Sequence, residues 1–122
     1  MKIIFADNSE IEVKTIFGSP CRVQNADRDM LTIEVDPTVA NTEGLRTVFM
    51  DKSKTSRIRT QDELGQISEV GEDYTIYISS TNERREVVHA PGSINPPEWE
   101  EINIVKIAQL TYMEKLVESL MK

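Results

Sequence analysis

His89 is the single histidine of the 122-residue chain, and Cys21 its single cysteine. An imidazole suits proton transfer at neutral pH or a zinc site, but both chemistries need partners at a fixed spacing. His89 stands in "VVHAPG" with no such partner nearby in the sequence, so a structural or surface histidine is expected. One cysteine excludes an internal disulfide, and Cys21 reads as a small, inert, partly buried thiol. Carboxylates cluster more densely. "DNSE" (7–10) and "DRD" (27–29) offer oxygen ligands, yet neither has the spacing of a calcium loop with its glycine and closing glutamate. Turn and loop chemistry accounts for both. "EVGED" and "EWEE" read as solvated acidic faces, because paired carboxylates divide acid and base roles only when burial raises one pKa. None of the five glycines lies in a GxGxxG or P-loop arrangement. The expectation is no catalytic residue, no metal site and no cofactor, in a protein that is not an enzyme.

Charge narrows the partners. Twenty-one acidic and 14 basic side chains leave a net charge of −7. Phosphate-backbone binding needs clustered Lys and Arg, and "ERR" (83–85) is too small a patch, so no nucleic-acid partner is expected. An anionic membrane surface is disfavoured for the same reason. No apolar run approaches the ~20 residues of a membrane span, and "MKIIF" turns polar too soon for a signal peptide. Synthesis and folding in a cytoplasm follow as an expectation.

The elements that position these residues read as α+β. A composition of 39% apolar and 29% charged residues is that of a globular chain, and 122 residues suit a single domain, 1–122. "KIIF" and "IEVKTIF" flank the turn "ADNSE" as a hairpin. "GSP" breaks that pattern, and "CRVQNADRD" reads as a polar loop with a weak strand before it. In "MLTIEVDP", Leu31, Ile33 and Val35 alternate with Thr32 and Glu34 as a half-buried strand, which Pro37 ends. A helix over about 41–51 takes Asn41 or Thr42 as its cap and buries Leu45, Val48 and Phe49. "SRIRTQ", "QISEV" and "DYTIYISS" follow as three short strands, the last presenting Tyr74, Ile76 and Ile78 on one face and Tyr77 on the other. "TNERRE" reads as a polar turn. "PGSINPPEWEE" holds three of the five prolines and reads as an exposed connector that Trp99 could pin to the body.

After the strand "EINIVKI" comes "AQLTYMEKLVESLMK". Thr111 and Glu114 form a capping-box signature, and Glu118 and Lys122 an i, i+4 pair. The resulting helix, within 110–122 and about 11 residues long, is marginal alone in water and must pack on something. Leu110, Met113, Val117 and Leu120 sit at 3-4-3 spacing. Leu116 and Met121 widen the stripe to about 140° at 100° per residue. Two covers compete for it: the sheet of the same chain, or another chain. If another chain, the interface residues are Leu110, Met113, Val117, Leu120 and Met121.

A short N-terminal hairpin, "VQNADRDMLTIEV" (23–35), "EGLRTVFMD" (43–51), "DYTIYIS" (73–79) and "INIVKIAQLTYMEKLVESLM" (102–121) occur in that order. Together they resemble a family of small prophage and tailed-phage proteins of gut Firmicutes encoded in the tail-gene region. The resemblance lies in order and texture over most of the chain, without a diagnostic short motif. The family has no assigned activity, so it supplies no functional residue. It implies a structural virion component of the tail or baseplate, acting through contacts with other tail proteins or with itself. The rival reading, from the −7 charge, is an acidic nucleic-acid mimic that inhibits a DNA-binding partner. A third is a ligand-binding module with a deep apolar pocket under its sheet. The fold expected is α+β, with a curved antiparallel sheet or partly open barrel of six to seven strands, one internal helix and a C-terminal helix.

Overall fold

A computed structural model describes residues 1–87, 92 and 96–121. The strands are β1 (Lys2–Phe5), β2 (Glu10–Glu12), β3 (Thr15–Val23), β4 (Ala26–Val35), β5 (Arg57–Gln61), β6 (Ile67–Glu72), β7 (Ile76–Glu86) and β8 (Trp99–Ala108). The helices are α1 (Thr42–Phe49), α2 (Lys52–Thr55) and α3 (Tyr112–Leu120). The α+β class and the antiparallel pairing are as expected. Among the described residues the strands number eight, in two four-stranded sheets ordered β2-β1-β5-β6 and β3-β4-β8-β7, neither closed into a barrel.

The chain changes sheet inside "EVKT". The Val13 N–H still donates to Met1 O at 3.0 Å in the first sheet, while the Lys14 N–H donates to Glu34 O at 2.7 Å in the second. The run "IEVKTIF" is therefore two strands of different sheets, and only β2 forms the expected hairpin with β1. Its turn holds Asn8 at φ 66, with Asp7 accepting from the Ser9 N–H at 2.9 Å, a bond by which the side chain imitates a backbone turn.

The expected polar loop at "CRVQNADRD" is instead the tip of a long hairpin. β3 and β4 pair in continuous register from Thr15↔Glu34 to Val23↔Ala26. Gln24 and Asn25 form the two-residue turn at φ 52 and 61, the left-handed pair of a type I′ turn. Pro20 and Gly18 are tolerated because β3 is an edge strand.

One cluster of buried side chains joins both sheets and α1: Ile3, Phe5 and Ile58 from the first sheet, Leu31, Ile33, Val35, Val105 and Ile107 from the second, and Leu45 and Phe49 from the helix. Phe5 and Phe49 meet edge to face at 5.4 Å. Asn41 caps α1, its Oδ1 accepting from the Gly44 N–H at 2.7 Å, and Asp51 caps α2, a turn not expected from the sequence. The buried Asn103 Oδ1 accepts from Asn82 Nδ2 at 2.8 Å, and its Nδ2 donates to Ala40 O at 2.8 Å. The entrance to α1 is thereby tied to the sheet beneath it.

Two bulges set the remaining faces. Between β5 and β6 the register shifts after Ile58, opposite Gly71. A Cβ on Gly71 would stand 2.8 Å from the Tyr74 ring, so the buried aromatic occupies the space that a side chain would need. In β7 the register shifts between Tyr77 and Ser79. Tyr77, paired with Ile107, packs on the core, while Ile76, paired with Ala108, stands on the opposite face as expected, and the bulge falls at Ile78. β6 and β7 lie in different sheets and are not a hairpin. "TNERRE" is no turn either, since it continues β7 to Glu86 opposite Trp99.

The outer face of the second sheet is roofed by charge. Arg85 on β7 donates to Glu100 on β8 at 2.9 Å and to Glu34 on β4 at 2.6 Å. Because β8 runs between β7 and β4, the side chain crosses that strand, and Ile102 on the same face is 1% exposed. Lys14 adds a 3.1 Å bond to Glu100. Long charged side chains cover apolar surface with their stems in this way.

Candidate interaction surface

Among the described residues the two short acidic motifs gather no metal-ligating group. Asp7 is engaged by Ser9 and by Lys54, whose Nζ donates to it at 2.7 Å, and the Lys54 bond foremost holds its carboxyl well below the usual range. Asp27 pairs with Arg22 across the β3–β4 tip at 3.1 Å. Asp27 and Asp29 both lie in β4 rather than in a loop. Among the described residues no group of three His, Cys, Asp or Glu could hold a metal ion. Cys21 is half-buried in β3 opposite Arg28. His89 lies outside the described residues, as does most of 88–95. Trp99 opens β8 and remains about half exposed, with the Arg84 guanidinium 5.2 Å from its ring centroid. The connector it was expected to pin lies partly outside the described residues. No helix of the described residues is long and apolar enough to cross a membrane.

The capping box of α3 is present as its sequence implies, while the expected Glu118–Lys122 pair involves Lys122, outside the described residues. The Thr111 hydroxyl accepts from the Glu114 N–H at 3.2 Å, and the Glu114 carboxylate accepts from the Thr111 N–H at 2.9 Å. The same carboxylate receives the Arg28 guanidinium through both oxygens, with the Nη2 bond at 2.9 Å. Arg28 has no side-chain exposure, and its remaining donors reach Val23 O at 2.9 Å and Gln109 O at 3.2 Å. The Arg28 bond foremost, then the Thr111 N–H, pulls the Glu114 carboxyl down to about 2. Lys115 stands 3.7 Å from Asp73. The approach is fixed by the Leu110 N–H on Asp73 O at 3.0 Å and the Gln109 N–H on Asp29 O at 2.9 Å.

These contacts use the polar edge of the helix. At about 100° per residue, Glu114, Lys115 and Glu118 fall on one side, while Tyr112, Met113, Leu116, Val117, Leu120 and Met121 fall on the other. No residue of α3 is buried, and only Glu114 and Lys115 are half-buried. Leu120 and Met121 are 79% and 82% exposed, and Met113 and Val117 are 64% and 51% exposed. The apolar stripe therefore faces away from the body. The sheet of the same chain does not cover it.

The expected interface residues divide accordingly. Met113, Val117, Leu120 and Met121 share the outward face with Leu116 and Tyr112. Leu110 precedes the Thr111 cap, is half-buried, and lines the open groove of about 500 Å³ between helix and body with Arg28, Gln109 and Lys115. It belongs to the seat of the helix rather than to its exposed stripe. Arg28, Gln109 and Asp73 were not singled out by the sequence, since "DRD" reads as turn chemistry until β4 is known to pass under α3.

Burying a Leu- or Met-sized side chain fully contributes about 1.5–3 kcal/mol, so covering six such groups at these exposures would favour a complex substantially. A contiguous exposed apolar stripe differs from singly scattered surface residues and is a candidate interaction surface. Comparison of the sequence with family models, with curated proteins and with solved structures gives no match.

Proposed function

We propose that this chain is a structural component of a tailed-phage or prophage particle, in its tail or baseplate, working through protein–protein contacts. It is made in the host cytoplasm and carried into the virion. One observation supports the docking role above the others: α3 is anchored by its charged edge and holds its apolar stripe outward. A helix fixed in this pose has already lost the freedom that binding would otherwise remove. The particle assignment rests on the resemblance of the segments named above.

The mimic reading has less support. Glu34, Glu69, Glu100, Glu114 and Asp7 are each held by a basic side chain, which leaves fewer free carboxylates to imitate a phosphate row.

Particles purified from an induced culture that carries the gene provide the test. The chain is expected in the particle fraction by quantitative mass spectrometry, and a Met113→Asp, Val117→Asp double variant is expected to fall there by about tenfold or more. Particles that lack the chain and assemble normally without it would overturn the proposal.

A further inference from the structure

The stripe on α3 is too wide for one neighbouring helix. Tyr112 and Met121 bound an arc of about 180° at 100° per residue, with Leu116, Leu120, Met113 and Val117 between them. A two-helix seam uses two positions in seven and a narrower arc. Paired with a single helix, one margin or the other would stay in water.

Charge suits a second copy of the same surface. None of the six stripe residues is ionisable at neutral pH, although the chain carries −7. The charged groups of α3 lie on the opposite arc, and Glu114 and Lys115 are engaged by Arg28 and Asp73. An identical helix can thus approach without opposing like charges. Area argues the same way. Each such side chain carries roughly 60–120 Å² of apolar surface, so six at about two-thirds exposure offer roughly 250–500 Å² per chain. A simple pair of helices then buries at most roughly 1,000 Å² in total, the lower margin for a specific interface. Several helices around one axis instead cover both margins of every stripe.

Resting on the reading of α3 as a docking element, we infer that this helix is the core of a symmetric homo-oligomer of three or more copies, packed stripe to stripe about a common axis. Closed symmetry of that kind reuses one patch on every subunit, and the Arg28–Glu114 anchor fixes the angle at which each helix enters.

Sedimentation of the full chain from about 1 to about 200 µM reads the outcome directly. The expected result is a mass of three subunits or more, with association strengthened by added salt as the subunit charges are screened. The Met113→Asp, Val117→Asp variant should sediment as a monomer throughout. Leu120→Lys, at an exposed position in the last turn, should weaken association by about tenfold or more with unchanged circular dichroism. A wild-type monomer at every concentration would overturn self-association. So would a dimer that stops at two, or an oligomer indifferent to both variants. If a monomeric wild type still enters particles in a manner that depends on Met113 and Val117, only the self-association is lost, and the structural role stands with a different chain as the cover.

Discussion

The guanidinium of Arg28, on a strand of the body, and the carboxylate of Glu114, in the first turn of α3, form a two-point contact in which the cation has no exposed side-chain surface. Removing the carboxylate leaves a buried charge without a counterion, which costs more than the loss of an ordinary surface pair. Glu114→Ala also removes half of the capping box. Release of α3 from the body should become easier by about 1–3 kcal/mol. Hydrogen exchange should show this as faster exchange of the α3 amides, with β4 and β8 amides unaltered.

Acid should act on the same contact. The Glu114 carboxyl is drawn from its ordinary 4.5 to about 2 in the folded chain, first by Arg28. A depressed carboxylate contributes stability that is fully present above the unfolded value and is lost as the proton binds. The anchor therefore holds above about pH 4.5 and weakens progressively as pH falls toward about 2, while Arg28 stays cationic. Amide resonances of residues 112–120 followed through an acid titration should report the release. In Glu114→Gln that acid-dependent step should be absent.

Arg85 should matter more for its stem than for its charge. It crosses β8 to reach Glu34, over the outer side of the buried Ile102. Arg85→Ala uncovers that side chain and should lower stability by about 1–2 kcal/mol, whereas Arg85→Met keeps an apolar cover and should cost about half as much or less. Equal losses in urea unfolding would show that the charge pairing, rather than the coverage, dominates.

The β3–β4 turn is suboptimal. Gln24 and Asn25 both adopt positive φ, a geometry that Asn-Gly satisfies with less strain. The pair Gln24→Asn, Asn25→Gly should raise stability by about 0.5–1 kcal/mol, read as an increase in Tm of a few degrees.

Much of the local structure was legible because single residues decide it. Asn41 and Thr111 announce their helices by a side-chain oxygen that meets an unpaired N–H, and the alternation of Leu31, Ile33 and Val35 announces a half-buried strand. The long β3–β4 hairpin was not legible. Its turn is Gln-Asn rather than Asn-Gly, and Gly18 and Pro20 imitate a break that an edge strand in fact accommodates. The split of "IEVKTIF" between two sheets is hidden for another reason: Val13 and Lys14 keep the local extended pattern while their hydrogen bonds go to partners 12 and 20 residues away, on opposite sides in sequence. The outward stripe of α3 was recognised as apolar, but its direction depends on Arg28, a residue more than eighty positions earlier.

The position of β8 has a consequence for how the chain reaches this state. It pairs with β4 on one side, Met30 lying opposite Ala108, and with β7 on the other, so the last-made strand of that sheet is one of its two inner strands. While the polypeptide is being synthesised, β4 and β7 each wait with an unpaired margin, and the sheet closes only once residue 108 has emerged. Contacts this distant in sequence form slowly, and a waiting margin invites other chains. Premature termination before Trp99 should therefore yield insoluble material rather than a smaller folded unit.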